Sequence, residues 1–363
     1  MAIPRRRALR TLAGAWAGSS LSSLASPPLF ATEPAPPHDR AGWMSRGSYG
    51  LMVHWIAPGP APRKGPRVTD LNKAVDAFDL EGLLGDFRRT GADWLIFTIG
   101  QNTACYASPN AALDGWAGPG HCSRRDLVLE TARALHAMGK RFVGYLPSEV
   151  DAPKALHTAF AWNPKNQSEF QKRYTTFVRE YAARYGRDLD GWWFDGCYTW
   201  DVFPNSTYDW PLWAGAARAG NPDAALAFND GSFCVGQTQP LTPLQDYLSG
   251  EVEVLRQGKI RLGRGDDSPL ILPSSRFALG TRCQWHALVP IDCPWAHEGP
   301  GLIGPPRYTD EELFGFVKSA KSVGGAVTLN AGIYQEGRLA EATLGQLERL
   351  SKALGTPAVR GGD

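Results

Sequence analysis

Short apolar runs of strand length alternate with amphipathic stretches of helical period along most of the chain, and this alternation predicts a parallel sheet covered by helices. Eight runs read as strands, over 49–55, 93–99, 141–147, 191–195, 224–229, 246–252, 282–289 and 326–330. Between them, apolar residues spaced three and four apart predict helices over 80–90, 125–138, 168–185, 310–323 and 341–354. In the third of these Phe170, Tyr174, Phe177 and Tyr181 fall on a single face, which marks core packing. Eight strand–helix units predict an α/β fold closed as a (β/α)8 TIM-like barrel with enlarged βα loops. The long segments 101–123, 197–221 and 258–278 are read as those loops, at the catalytic rim. No Gly-rich phosphate fingerprint follows the first strand, which argues against a doubly wound nucleotide-binding sheet. The barrel is assigned to 46–357, with a linker over 32–45 and a tail over 358–363.

The beginning of the chain is of another kind. Arg5-Arg6-Arg7 precedes a weakly apolar stretch and then Ser26-Pro27-Pro28, the layout of a twin-arginine export leader over 1–31. This predicts a periplasmic or extracellular protein. No later apolar run reaches the ~18 residues that span a bilayer, so no membrane span is expected. The formal net charge of +2 is spread over mixed signs, which argues against nucleic acid or an anionic membrane as partner. The cysteines (105, 122, 197, 234, 283 and 293) form no CxxC pair, and the histidines form no chelating motif, so neither a metal nor a cofactor is expected. Thirteen Trp shift the expectation toward a carbohydrate partner, because an exposed indole face suits the apolar face of a sugar. Nothing in these features sets the oligomeric state.

In a barrel, chemistry sits at the C-terminal ends of the strands. Those ends carry His54 and Trp55, Gln101 and Asn102, Ser148 and Glu149, Asp195, Asn229 and Asp230, Glu251, then Gln284 with Trp285 and His286, and Asn330. Such a ring of amides, imidazoles, indoles and acids suits a polyhydroxylated ligand, although any single member could be a helix cap or a satisfied polar group. Trp192-Trp193-Phe194-Asp195-Gly196 is the most informative segment, since an apolar run ends there in a carboxylate. An acid in aromatic surroundings is costly unless used; the competing reading is an N-cap followed by a turn glycine. Glycosidic cleavage needs two carboxyl groups. Asp195 is the candidate for attack, and Glu251, in Leu248-Ser249-Gly250-Glu251, is preferred as proton donor ahead of Glu149, Glu253 and Glu298. Candidate sugar contacts are His54, Trp55, Gln101, Asn102, Tyr106, Glu149, Trp193, Asn229, Asp230, Trp285 and His286.

Several segments, in order, resemble the α-L-fucosidases of glycoside hydrolase family 29. They are Gly50-Leu51-Met52-Val53-His54-Trp55, Ser123-Arg124-Arg125-Asp126-Leu127-Val128, Leu189-Asp190-Gly191-Trp192-Trp193-Phe194-Asp195-Gly196, Phe228-Asn229-Asp230, and Ser322-Val323-Gly324-Gly325 with Leu329-Asn330. The resemblance covers the barrel alone, roughly 45–355. It implies a sugar contact for His54, the nucleophile's role for Asp195, and a retaining mechanism through a covalent glycosyl-Asp. The chain departs from the family after the second strand. There Gln101 and Asn102 stand where the family carries a His pair that binds fucose hydroxyls. Three functions stay open: an α-L-fucosidase-like hydrolase, a glycosidase of the same barrel with another sugar, and a silent carbohydrate-binding barrel.

Overall fold

Side chains alternate along each strand between two apolar layers, and this period of two decides which residues can reach a site. The computed structural model describes residues 39–199, 201–203, 207–231, 239–252, 254–256, 259–262, 266–269 and 275–355. The expected leader over 1–31, Cys234, Glu253 and the tail over 358–363 lie outside the described residues. The strands are β1 (Gly50–Val53), β2 (Trp94–Thr98), β3 (Arg141–Pro147), β4 (Gly191–Asp195), β5 (Ala225–Phe228), β6 (Val254–Arg256), β7 (Lys259–Leu262), β8 (Asp266–Pro269), β9 (His286–Pro290) and β10 (Ala326–Asn330). Seven of them form one sheet in the order β5-β4-β3-β2-β1-β10-β9, and all of its pairings are parallel.

One face of the sheet carries Met52, Trp94, Ile96, Val143, Tyr145, Trp193, Ala225, Ala227, Leu288 and Ala326, packed on one another as an inner layer. The other carries Leu51, Val53, Leu95, Phe97, Phe142, Leu146, Trp192, Phe194, Leu226 and Phe228, packed under the helices. Burial on both faces is why the strands read as continuous apolar runs. The helices Leu80–Thr90 and Ser168–Tyr185 have the expected bounds, while the expected 125–138 forms Leu127–Ala137. Phe170, Tyr174, Phe177 and Tyr181 are fully buried, as their spacing predicts. Acidic N-caps start several helices, Asp79 and Asp126 among them, each accepting the backbone N–H three positions on. All three segments read as loops contain elements. Helices Ala111–Ala117 and Trp210–Ala217 interrupt 101–123 and 197–221, and β7 and β8 lie in 258–278, where β7 pairs antiparallel with both β6 and β8.

The segment 246–252, read as the sixth strand, is not a regular strand, yet it lies between β5 and β9. Asp246 N–H bonds to Leu226 O at 2.8 Å, and Leu248 N–H and Val252 N–H bond to Gln284 O and Leu288 O. Tyr247 bridges Gln284 and Glu251 bridges Leu288, both parallel and in one register. Between them Gly250 adopts φ +76°, and a Cβ there would lie 2.2 Å from the His286 carbonyl oxygen. The kink interrupts the ladder opposite His286, and pairing resumes at Glu251. Gly250→Ala is therefore expected to destabilise the fold by about 2 kcal/mol or more, read as a lowered urea midpoint at unchanged m. Unchanged stability would show that this close approach is not needed.

Candidate active site

Asp195 closes β4 on the inner parity, two residues after Trp193. Trp193 lies beneath it, stacked on Tyr145 at 5.3 Å between centroids and bonded through Nε1 to Ser249 O at 3.1 Å. Trp193 is therefore the floor under the acid. Four donors converge on the Asp195 carboxylate. Tyr198 Oη, Asn229 Nδ2 and the Gly196 N–H each donate to Oδ1 at 2.8 Å, and Tyr145 Oη donates to Oδ2 at 2.5 Å. Burial and the Asp195 charge hold both phenols well above their ordinary range, so each keeps the proton it donates.

Asn229, one residue past β5, is fully buried and ties a second acid to the first. Its Oδ1 accepts the Gly231 N–H at 3.2 Å, and its side chain hydrogen-bonds Glu251 as well as Asp195. Burial, reinforced by the neighbouring Asp195 charge, pushes the Glu251 carboxyl up to about 8. Glu251 Oε2 is buried with no hydrogen-bond partner, the environment of a carboxyl that keeps its proton at neutral pH. Two neighbouring carboxyls thus sit in opposite environments, one surrounded by donors and the other nearly bare.

Both acids line a cleft of about 560 Å³ with His54, Gln101, Asn102, Tyr198, Trp295 and, toward the exposed rim, Arg67 and Glu298. His54 donates from Nδ1 to Asn330 Oδ1 at 2.8 Å, because the Asn330 amide is spent on Trp295 O at 3.0 Å. Burial lowers the imidazole below its usual value against the pull of Asn330 and Asp195, leaving a neutral ring with Nε2 free of a proton. Trp295 is half-buried with its ring 5.6 Å from His54, a flat apolar wall beside the acids.

Other expected site residues lie elsewhere. Trp55 follows the outer parity of β1, is fully buried against Phe78 and bonds Gln335 O at 2.9 Å. Tyr106 packs on Phe177 in the outer layer. Trp285 and His286 stand at the N-terminal end of β9, since that strand runs over His286–Pro290 and not 282–289. His286 is a satisfied core residue between Leu248 O at 2.9 Å and Thr328 Oγ1 at 2.7 Å, and burial pushes it down to about 4. Asp230 is half-buried next to Asn229, and its charge adds to the upward push on Glu251. Glu149 is buried beside Gly196, where a Cβ would lie 2.7 Å from Glu149 Cγ, and is off the lining of the cleft. Burial pushes it up to about 7, and it accepts the Asp151 N–H.

The strand-end reading did not single out Tyr145, Tyr198, Trp295 and Arg67. Tyr145 carried the one readable signal, the inner parity it shares with Val143 on β3. Among the described residues no cluster of three or more His, Cys, Asp and Glu is placed to hold a metal ion, and no helix is long and apolar enough to cross a membrane. Cys105, Cys122, Cys197, Cys283 and Cys293 are free thiols.

No protein-family model matches the chain, and no curated protein matches it in sequence. Solved structures do. An endo-fucoidan hydrolase of glycoside hydrolase family 107 superposes with a TM-score of 0.61 at 18% identity, over 88% of this chain and 54% of that one, so the present chain spans about half of that hydrolase. The α-L-fucosidase isoenzyme 1 from Paenibacillus thiaminolyticus superposes with a TM-score of 0.58 at 17% identity, over 87% of this chain and 75% of that one. A family 29 fucosidase from Ruminococcus gnavus, in complex with fucose, gives 0.55 at 13% identity, over 86% and 66%. At these identities the likeness is one of fold: a curled parallel α/β sheet of the kind on which fucosidases and fucoidan hydrolases are built.

Proposed function

We propose that the chain is a retaining glycoside hydrolase that cleaves an α-L-fucosyl or related linkage, with Asp195 as nucleophile and Glu251 as acid and then base. The observation that carries this reading is the pairing of two acids in opposed environments on one cleft: Asp195 is surrounded by donors, whereas Glu251 is nearly bare and is pushed up to about 8 by burial and the Asp195 charge, as a nucleophile and a proton donor require. In the first step an Asp195 oxygen bonds to the anomeric carbon while the Glu251 O–H passes its proton to the departing glycosidic oxygen. In the second, the Glu251 carboxylate takes a proton from water, the water oxygen bonds to the same carbon and the Asp195 carboxylate leaves. Of the two Asp195 oxygens, Oδ2 accepts one hydrogen bond and Oδ1 three, which makes Oδ2 the better nucleophile.

The eighth stave of the barrel is, in this reading, the kinked 246–252 segment, whose kink sets the backbone immediately before Glu251. The chain is further proposed to be exported, on the strength of Arg5-Arg6-Arg7 and the stretch that follows it. The endo-fucoidan hydrolases among the structural neighbours, and a cleft that opens to an exposed rim at Asn102, Arg67 and Glu298, favour a second substrate form, an internal fucosyl linkage of a polysaccharide.

The test is to supply 4-nitrophenyl α-L-fucoside and, separately, fucoidan, and to follow the first-formed product by proton NMR. Release of a sugar with the α configuration is expected. A β product would overturn the retaining pair, and turnover of neither substrate would favour a silent binding barrel. Oligosaccharides from fucoidan without free fucose would favour the internal linkage.

A further inference from the structure

We propose that Gln101 is a positioning residue that couples a bound sugar hydroxyl to the nucleophile through Tyr145; the proposal rests on the assignment of Asp195 above. The direction of each hydrogen bond follows from proton counting. Asp195 as a carboxylate has no proton, so the contact with Tyr145 Oη at 2.5 Å uses the single proton of Tyr145. Tyr145 Oη also meets the Gln101 side chain in a short contact, and with its proton already committed it can only accept there. The Gln101 atom facing it is therefore the donor Nε2, which leaves Oε1 as the other end of the amide. Gln101 Oε1 is buried with no hydrogen-bond partner, on a residue that lines the same cleft as Asp195 and Glu251. A buried carbonyl without a donor is unfavourable, and the donor that a sugar cleft supplies is a hydroxyl of the ligand.

The three side chains thus form one chain of bonds, from sugar O–H to Gln101 Oε1, from Gln101 Nε2 to Tyr145 Oη, and from Tyr145 O–H to Asp195 Oδ2. Each donation polarises the next, so a hydroxyl on Gln101 strengthens the Tyr145 bond to Oδ2. Tyr145 cannot turn away from Asp195 while Nε2 occupies its oxygen. The amide thereby holds the lone pair of Oδ2 in place until the sugar arrives, and it makes a free hydroxyl at that position a requirement of the substrate.

The test places 3-fluorotyrosine at position 145 of the full chain and follows its fluorine resonance. Gln101→Met removes both ends of the amide, whereas Gln101→Glu keeps an acceptor and loses the donor. Both are expected to shift the resonance, as is Asp195→Asn, and added L-fucose is expected to shift it in the unaltered chain but not in Gln101→Met. An unmoved resonance in Gln101→Met and Gln101→Glu, or an equal response to L-fucose with and without Gln101, would overturn the coupling. These readouts need no turnover, so they separate this proposal from the glycosidase assignment. Where the fucoside is hydrolysed, Gln101→Met is expected to lower kcat roughly ten- to hundredfold and to add little once Tyr145→Phe is present. Losses that multiply in the double variant would show two independent residues and would also overturn it.

Discussion

Asp195→Ala is expected to lower kcat for α-L-fucoside hydrolysis by a factor on the order of 10⁴ or more, because the side chain removed is the proposed nucleophile. The loss is not one of folding. Asp195 is half-buried at the cleft, and its removal frees Tyr145, Tyr198, Asn229 and the Gly196 N–H to meet water admitted in its place. The vacated volume is bordered by those donors and accepts a small anion. Azide is therefore expected to restore turnover of 4-nitrophenyl α-L-fucoside in Asp195→Ala, with its nitrogen bonding directly to the anomeric carbon. The product is the β-L-fucosyl azide, inverted relative to the substrate. Activity unchanged in Asp195→Ala would remove the nucleophile assignment, and an azide product with retained configuration would place the attacking group elsewhere.

Much of this site was readable from strand parity. On β1, Met52 and His54 share the inner face while Val53 and Trp55 share the outer, so Trp55 could have been set aside before any coordinates. On β4 the same count puts Trp193 and Asp195 inward and Trp192 and Phe194 outward. Tyr145 was hidden because an inward tyrosine within an apolar run looks like core, and its stacked ring is indeed core while only its hydroxyl reaches Asp195. Trp285 and His286 misled for a different reason: nothing in that run marks where the strand starts, and β9 begins at His286, four residues after the run was taken to begin. Trp295 and Arg67 lie on loops after β9 and β1, and loop residues are gathered by tertiary packing that no local period records. The kink at Gly250 was visible only as a glycine, although it sets the backbone immediately before Glu251.

Glu251→Gln separates the roles of the two acids by leaving group and by pH. With a sugar as leaving group the loss is expected to be about 10²–10⁴-fold, because the departing alkoxide needs a proton that glutamine cannot give. With 4-nitrophenolate, which departs unprotonated, the first step survives and the glycosyl-Asp195 ester accumulates, visible as a burst of 4-nitrophenol. In Glu251→Ala, azide is expected to attack that ester and yield the α-L-fucosyl azide, the opposite configuration to the Asp195→Ala product. The unaltered chain should lose kcat/KM above about pH 8, where Glu251 gives up the proton it must donate, and Glu251→Gln should lack that limb. Stability moves in the opposite sense. The folded Glu251 holds its proton up to about 8, whereas its ordinary value is 4.5, so the folded state is favoured at low pH and loses that advantage as pH rises between these values. Glutamine has no charge to bury. Glu251→Gln is therefore expected to match the unaltered chain in urea unfolding at about pH 4 and to exceed it at about pH 8, the trade of stability for function expected of a buried catalytic acid. A variant less stable at pH 8 than the unaltered chain, or one that keeps the alkaline limb, would move the acid to another carboxyl, and Glu149, pushed up to about 7 beside Gly196, would be the next to test.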